Sequence, residues 1–427
     1  WSFFPAVIFC EDILFIMYGK ERKFVMKNLF KRVAAVSLAA AMTLGFAGCN
    51  TNGEESSNAG DSGSAGTGGT LVIGSIGPIT GGAAQYGVAV KNGAQLAVDE
   101  INAAGGVNGI TLKLEFGDDE HDAEKSINAY NDLKDKGMKL LIGTVTSAPC
   151  EAVSKEAAKD NMFLLTPSGS SVDCITAGDN CFRMCFTDPM QGSIAANYIA
   201  DNMSAKKIGI IYDSSDSYST GIVTGFEEVA KTKGLEIVEK QAFTADAKTD
   251  FSVQIQKIAD SGAEMLFLPF YYTEAALVLQ QAQGKLDIPV FGGDGLDGII
   301  DVLGDKVDIA DGVYVMSPYA ASSPEAKSAA FTKAYQEKFT NDPLNQFAAD
   351  AYDCVYAVKQ AMEQADVKDA SISSTELCDK LKAAMTQIEL DGVTGKTKWT
   401  ADGEPEKAPK VLKIVVKDGK GEYEVLS

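Results

Sequence analysis

The chain has 427 residues, of which 45% are hydrophobic and 23% are charged, and its formal net charge is −21. This apolar content excludes a chain that is disordered as a whole, and the length suffices for two domains. The negative charge argues against nucleic acid as a partner, because it repels a phosphate backbone. His121 is the single histidine, which disfavours a His-based metal centre or a Ser-His-Asp triad, and we expect no metal or cofactor.

The N-terminal segment has the pattern of an export signal. From Met26, a short basic stretch is followed by small apolar residues at 33–48, which is typical of a secretory signal peptide. The following Cys49 completes a Phe-Ala-Gly-Cys sequence that resembles a bacterial lipobox, so we expect a lipid anchor there. Residues 1–48 are interpreted as a signal peptide with an over-extended start. Residues 49–69 have almost no large apolar side chain and are predicted to be a flexible linker.

From residue 70 onward, β-rich runs alternate with helical patterns. The segment 88–103 is one such helix, because its apolar residues recur at helical spacing. Strands separated by helices predict βαβ units and parallel sheets, and their number predicts two lobes. The predicted strands are Leu71–Ile76, Thr111–Phe116, Leu140–Gly143, Phe163–Thr166, Ile208–Tyr212, Glu236–Ala242, Met265–Phe270, Pro289–Phe291 and Val313–Ser317.

The loops that follow these strands are the candidate site, because ligands of parallel sheets bind beyond the carboxyl ends of the strands. These loops carry hydroxyls, tyrosines and few charges, and no general base stands beside their serines. Hydroxyls and helix N-terminal amides suit a carboxylate, whereas an aspartate suits an ammonium group. The loops therefore favour a zwitterion-binding site over an enzyme active site.

Two other motifs have alternative interpretations. Gly293–Gly298 fits the GxGxxG pattern of dinucleotide-binding loops, but the motif stands late in the chain and is weak alone. Cys174 and Cys181 enclose a polar loop and could form a disulfide in an exported protein, with Cys150 and Cys185 as competitors. The charged run around His121 suggests a solvated loop more than a metal site.

The order and spacing of the loop motifs resemble the branched-chain amino-acid (Leu/Ile/Val-type) periplasmic binding proteins, which are substrate-binding proteins of ABC importers. The similarity extends over residues 70–427 and is carried by GSIGPITGGAAQYG, LIGTVTSAP, FLLTPSGSS, FRMCFTDPMQG, IYDSSDSYSTG, FLPFYYTEAA, VFGGDGLDG and DGVTGKTKW. It implies an α/β type I periplasmic binding protein fold with two lobes, each a parallel sheet flanked by helices, joined by three crossover strands. The first lobe would comprise 70–188 and 318–392, and the second lobe 189–317 and 393–427.

The resemblance also implies how a ligand would be held. Its carboxylate would contact Ser147 and hydroxyl and backbone groups at Ser168 and Ser170. Its ammonium group would contact the Ser168 carbonyl and Asp294, at a position where the family often has the longer glutamate.

Tyrosines would form the rest of the implied site. Tyr86 would line the side-chain pocket and Tyr218 would cover the ligand. Either Tyr271 or Tyr272 would face the cleft, because neighbours on an extended segment point to opposite sides.

Each implied site residue has a structural alternative. The three serines could be helix N-caps, the tyrosines could be packing or surface residues, and Asp294 could be a turn residue. His121 and Thr146 stand where some members have a cysteine pair, so that bridge is absent from this chain.

We therefore expect an extracytoplasmic, lipid-anchored and monomeric solute-binding protein that closes on an amino acid and delivers it to an ABC permease and ATPase, with no catalysis. A sensory module with a transmembrane signalling partner is one alternative. Another is binding of a different small ligand, such as an amide or an aromatic acid. The sequence does not decide which ligand is bound.

Overall fold

The structure is a computed structural model that describes residues 68–426. The predicted signal peptide, the lipid anchor at Cys49 and most of the predicted linker lie outside the described residues. Within this described part, no helix combines the length and apolar character that crossing a membrane requires.

The first sheet has five parallel strands in the order β2-β1-β3-β4-β5. Its central strands β1 and β3 read as nearly continuous apolar runs because helices cover both faces. The strands are β1 (Thr70–Gly77), β2 (Thr111–Asp118), β3 (Met138–Gly143), β4 (Leu164–Thr166) and β5 (Cys181–Arg183). The helices between them are α1 (Ala84–Ala103), α2 (Ala123–Asp135) and α3 (Ser147–Asp160).

Helix α1 shows how the sequence pattern produces the packing. The apolar positions that predicted this helix are fully or almost fully buried, among them Val90, Ala94 and Ile101. Gly93 lies so close to the helix that begins at Gln346 that an added Cβ would be 2.0 Å from the Ala348 carbonyl oxygen. Only glycine permits this approach of two backbones.

The second sheet has seven strands in the order β14-β13-β10-β9-β8-β6-β7. They are β6 (Lys207–Asp213), β7 (Glu236–Phe243), β8 (Met265–Leu268), β9 (Val290–Gly292), β10 (Tyr314–Ser317), β13 (Lys410–Lys417) and β14 (Lys420–Val425). Its helices are α4 (Asp188–Asn202), α5 (Ser217–Lys233), α6 (Ser252–Asp260), α7 (Tyr272–Ala282) and α8 (Ile299–Leu303). The predicted parallel pairing is present from β6 to β10, and the sheet is extended at one edge by β13, which pairs antiparallel with β10, and by β14, which pairs antiparallel with β13.

Three further helices and a hairpin complete the described chain. They are α9 (Ala326–Lys338), α10 (Gln346–Gln364), α11 (Ser374–Met385), and the two-stranded sheet of β11 (Glu389–Gly392) and β12 (Gly395–Lys398). The predicted lobe boundary between residues 392 and 393 falls in the turn of this hairpin. Asp353 of α10 accepts hydrogen bonds there from the backbone N–H groups of Val393 and Thr394, each at 2.8 Å. The lobe limits themselves stay a prediction.

Candidate functional site

One small cavity lies at the carboxyl ends of strands from both sheets. Seven of the eight residues that the sequence predicts for the site line it, and they come from loops that are far apart in the chain. The lining residues are Tyr86, Val145, Thr146, Ser147, Ser168, Ser170, Tyr218, Tyr271, Asp294, Gly295 and Phe347. The topology of the two sheets thus brings the predicted residues together.

The serines form one side of the cavity. Ser147 is the first residue of α3, and its hydroxyl oxygen accepts a hydrogen bond from the Ser171 backbone N–H at 3.2 Å. The Ser168 hydroxyl donates to the Val145 carbonyl oxygen at 2.7 Å. These bonds hold the loop after β4 against the start of α3, where backbone N–H groups have no intrahelical partner and favour an anion.

The serines are not the N-cap residues of these elements. The N-cap of α3 is Thr146, and Ser171 caps the short 3₁₀ turn that follows the loop after β4. Ser147, Ser168 and Ser170 therefore occupy the cavity wall without the capping role that was the structural alternative. Ser170 is buried, and its carbonyl accepts the Asp188 backbone N–H at 2.9 Å.

Asp294 provides the acidic group of the cavity. Its side chain is buried, and Oδ1 accepts a hydrogen bond from the Tyr218 hydroxyl at 2.7 Å. The Asp294 backbone N–H donates to Gln191 Oε1 at 3.0 Å, and the Gly295 N–H donates to the Tyr218 hydroxyl at 2.8 Å. Burial raises the pKa of the Asp294 carboxyl to about 6, so this group is mostly an anion at neutral pH.

Aromatic rings form the remaining wall. The Tyr86 ring lies 4.4 Å from Phe347 and 5.7 Å from Tyr271, between ring centres, and the Tyr271 ring stacks on Tyr218 at 4.9 Å with an 8° angle. The Tyr86 hydroxyl donates to the Gly295 carbonyl at 2.5 Å. This hydrogen bond joins α1 of the first sheet to the loop after β9 of the second sheet.

Tyr271 and Tyr272 point in different directions, as expected for neighbours. Tyr271 lines the cavity, whereas Tyr272 does not. The Tyr272 hydroxyl instead accepts the Gln85 backbone N–H at 3.2 Å, and its ring meets that of Tyr86 edge-on at 4.9 Å. Tyr272 therefore packs against Tyr86 without lining the cavity.

His121 has a more structured environment than a solvated loop would give it. Its Nδ1 lies 2.8 Å from Thr146 Oγ1, and its ring meets Tyr271 edge-on at 5.3 Å. Burial, with a smaller contribution from Lys248, lowers the pKa of His121 to about 4. The two residues that stand in place of a family cysteine pair are thus hydrogen-bonded to each other at the edge of the cavity.

The disulfide considered between Cys174 and Cys181 is not formed. All six cysteines of the described residues are free and buried. Cys181 belongs to β5 and donates weakly to the Ser154 carbonyl at 3.9 Å, while Cys174 donates to the Ser147 carbonyl at 3.7 Å. Both thiols fill the small core behind α3.

Two site features escape the sequence argument. Phe347 belongs to α10, whose pattern reads only as a core helix, yet its ring lines the cavity. Asp188 starts α4 and is fully buried, and burial raises its carboxyl pKa far above the usual range, with the nearby Asp294 adding to the effect. The Asp-Pro pair at 188–189, typical of a helix start, is the only local signal for it.

The fold and this cavity define a two-sheet ligand-binding protein. A family model described as "Periplasmic binding protein" matches residues 70–420, and the chain belongs to this family. The Leu/Ile/Val-binding protein BraC3 of Rhizobium johnstonii is 32% identical over 313 residues, which cover 72% of this chain and 83% of that protein. The resemblance predicted from the loop motifs is confirmed.

Solved structures give the same fold. LivJ of Streptococcus pneumoniae, a branched-chain amino acid transporter substrate-binding protein in complex with isoleucine, is 31% identical with a TM-score of 0.74, over 84% of this chain and 99% of that one. A solute-binding protein of Rhodopseudomonas palustris, in complex with 3,4-dihydroxybenzoic acid, is 21% identical with a TM-score of 0.74, over 84% and 96%. The second match shows the fold alone. The predicted type I fold is confirmed.

Proposed function

We propose that this protein binds an amino acid in its zwitterionic form and delivers it to an ABC importer. The observation that carries the proposal is that one cavity holds both the buried Asp294 carboxyl and three serines, Ser147 at the start of α3 and Ser168 and Ser170 on the loop after β4. The ligand ammonium group would lie against Asp294. The ligand carboxylate would lie against Ser147 and Ser170, where helix N-terminal amides favour an anion.

The walls of the cavity favour an apolar side chain. Tyr86, Val145 and Phe347 line it, and no lysine or arginine of residues 68–426 does. A charged or strongly polar side chain would lose its hydration there without a charged partner. BraC3 is named a Leu/Ile/Val-binding protein and LivJ is in complex with isoleucine, and the side chains of these amino acids fit this environment. We therefore propose a branched-chain amino acid as the preferred ligand.

Closure of two lobes is the proposed mechanism. Three contacts join the N-terminal end of α1 to the loop after β9 and to the start of α7: Tyr86 with Gly295, Gln85 with Tyr272, and the Thr273 hydroxyl with the Gly82 carbonyl at 2.7 Å. A ligand that touches both sides favours the closed form by its differential contacts. We propose the predicted limits 70–188 with 318–392, and 189–317 with 393–427, as the two lobes.

Location and partners complete the proposal. Periplasmic binding proteins are extracytoplasmic solute-binding proteins, and this family assignment supports a role without catalysis. We propose that residues 1–48 are a signal peptide and that Cys49 carries a lipid anchor outside the membrane. The closed, monomeric protein would then present its ligand to a permease and ATPase complex.

An aromatic acid is the second candidate ligand, because the cavity has aromatic walls and a structural neighbour binds 3,4-dihydroxybenzoic acid. Such a ligand has a carboxylate but no ammonium group. It would leave the Asp294 carboxylate buried without a cationic partner, which is costly. The buried Asp294 carboxylate therefore favours an amino acid over an aromatic acid as the ligand.

Binding of leucine analogues tests the proposal. We expect L-leucine to raise the melting temperature of the purified protein, because a ligand that binds only the folded state stabilises it. Isopentylamine lacks the carboxylate, and 4-methylpentanoate lacks the ammonium group, so both should bind at least about 100-fold more weakly than leucine. Stabilisation by benzoate or 4-methylpentanoate, but by no amino acid, would replace the proposal with the aromatic-acid or simple-acid alternative.

A further inference from the structure

We propose that Arg183 is a positioning residue that shapes the loop for the ligand carboxylate and fixes this loop to the segment that leads into the second sheet. Residues 167–172, which are the loop after β4 together with the first residue of the following 3₁₀ turn, are called the serine loop below. The inference rests on the proposed amino-acid function, because it assigns the serine loop to the ligand carboxylate.

The Arg183 guanidinium donates hydrogen bonds to three carbonyl groups of the serine loop. Arg183 ends β5, and its side chain is completely buried. Nη1 donates to the carbonyl oxygens of Gly169 at 3.1 Å and Ser171 at 2.9 Å, and Nη2 donates to the Val172 carbonyl at 3.2 Å. A single planar cation with several fixed donors thus satisfies three carbonyl acceptors, and its bonds to Gly169 and Ser171 are buried.

This arrangement determines which groups of the serine loop reach the cavity. The carbonyls of Gly169 and Ser171 turn toward Arg183, behind the loop. The residues that alternate with them, Ser168 and Ser170, line the cavity. Without the guanidinium, the carbonyls of Gly169 and Ser171 would be buried without this donor, and the loop would have to turn to satisfy them. Arg183 therefore orients the proposed carboxylate contacts without touching the ligand.

A second set of contacts fixes Arg183 itself. Its Nε lies 3.0 Å from the Glu404 carboxylate. Its backbone N–H donates to the Gly403 carbonyl at 3.1 Å, and its carbonyl accepts the Trp399 indole N–H at 2.7 Å. Trp399 to Glu404 belong to the connection from β12 to β13 of the second sheet. The serine loop, Arg183 and this connection therefore form one continuous network.

Lysine cannot replace arginine in this network. An ammonium group is a compact point charge, so it cannot reach three carbonyls and a carboxylate with the geometry of the planar fork. The Arg183→Lys variant keeps the positive charge and removes the planar guanidinium. The Glu404→Gln variant leaves the guanidinium bonded to the serine loop and weakens only the contact with the segment between β12 and β13. The two variants therefore separate the two parts of the proposal.

Calorimetric titration with L-leucine provides the first test. We expect Arg183→Lys to raise the Kd at least 10-fold and Glu404→Gln to raise it about 3-fold. In double-mutant cycles, Arg183→Lys should be coupled to Ser170→Ala, so that the double variant binds little more weakly than Arg183→Lys alone. Arg183→Lys and Asp294→Asn, which affect opposite sides of the cavity, should act independently, so that their fold-increases in Kd multiply in the double variant. Equal coupling to both positions, or a Kd within 2-fold of the unchanged protein, would overturn the inference.

Hydrogen exchange of the ligand-free protein provides a test that does not depend on the ligand. Arg183→Lys should accelerate amide exchange in residues 167–172 while exchange in β6 and β8 stays unchanged. If Arg183→Lys does not fold, as judged by circular dichroism, Glu404→Gln carries the same test, and unchanged exchange in its serine loop would refute the link. Faster exchange in a protein that binds no amino acid would leave the positioning role intact and refute the proposed function instead. Leucine binding with unchanged exchange and affinity in both variants would refute the inference alone.

Discussion

Replacement of Asp294 by asparagine is the sharpest perturbation of the proposed site. The carboxylate is 3% exposed and accepts the Tyr218 hydroxyl at 2.7 Å. A ligand ammonium group beside it would be removed from water together with the acid. Truncating one partner of such a buried pair costs about 2–5 kcal/mol, because the remaining charge is left unpaired.

The geometry places the expected loss at the lower part of this range. Asparagine retains an oxygen that can accept the Tyr218 hydroxyl, so that hydrogen bond survives and only the charge is lost. We expect about 2–3 kcal/mol, which corresponds to a Kd for L-leucine that is roughly 30- to 150-fold higher at 25 °C. Asp294→Ala should cost more, since it also leaves the Tyr218 hydroxyl without its acceptor.

Isothermal titration at several pH values is the appropriate assay. The carboxyl pKa is raised to about 6, and only the ionised form binds the ammonium group. Affinity should therefore be constant above pH 7 and should fall by up to about tenfold per unit as the pH drops below 6. Asp294→Asn should abolish this dependence.

Asp297→Asn is the matched control. Asp297 is equally buried and lies on the same loop, but it does not line the cavity, and its carboxylate accepts the Gln346 backbone N–H at 3.0 Å. We expect its substitution to change stability and to leave leucine affinity within about 2-fold. A leucine Kd that Asp294→Asn leaves unchanged, or that both variants raise equally, would refute the reasoning.

Three further predictions concern closure, stability and pH. Tyr86→Phe removes the hydroxyl bridge to the opposite loop, so leucine binding measured by calorimetry should weaken about 5-fold, the effect of a hydrogen bond of about 1 kcal/mol; unchanged affinity would exclude the bridge from closure. Lys407 pairs with Asp350 at 3.0 Å, and the two side chains are 4% and 2% exposed. Lys407→Met should therefore lower the free energy of unfolding in urea by about 3–5 kcal/mol, and adding Asp350→Leu should recover much of this loss. A double variant as unstable as Lys407→Met would contradict this. Burial raises the carboxyl pKa values of Asp119 and Asp297 to about 7, so the folded state holds protons that the unfolded state has lost. The ligand-free protein should therefore melt at a higher temperature at pH 5.5 than at pH 7.5. The opposite order of melting temperatures in scanning calorimetry would contradict the upward direction of these pKa shifts.

The sequence predicts the central parallel strands, such as β1, β3 and β8, well because their burial on both faces makes them continuous apolar runs. All nine predicted strands are present, each within two residues of the predicted ends. Of the missed strands in the described residues, β5, β11, β12 and β14 lack this signal, whereas β13 has an apolar run. Strand β5 has only three residues and ends in Arg183, while β13 and β14 form a terminal hairpin whose Asp418-Gly419 turn, with positive φ at both residues, was the available sign.

The candidate site shows a similar division. Residues on loops that directly follow predicted strands, such as Ser147 and Asp294, could be found because parallel topology places those loops at one edge. Tyr272 was included with Tyr271 because an extended segment leaves the facing residue undetermined, and the structure turns Tyr272 away from the cavity. Phe347 could not be found, since its helix reaches the cavity through packing of distant elements. The hydrogen bonds from the Arg183 guanidinium to the serine loop could not be predicted either, because they depend on how the carbonyl groups of a loop are oriented.

A crystal structure of the protein with L-isoleucine tests the central claim most directly, because it shows both ends of the ligand at once. The account predicts that the ligand ammonium nitrogen lies within hydrogen-bond distance of the Asp294 carboxylate. It also predicts that the ligand carboxylate contacts the Ser147 and Ser170 side of the cavity. A ligand bound in the reverse orientation, or bound outside this cavity, would contradict the account.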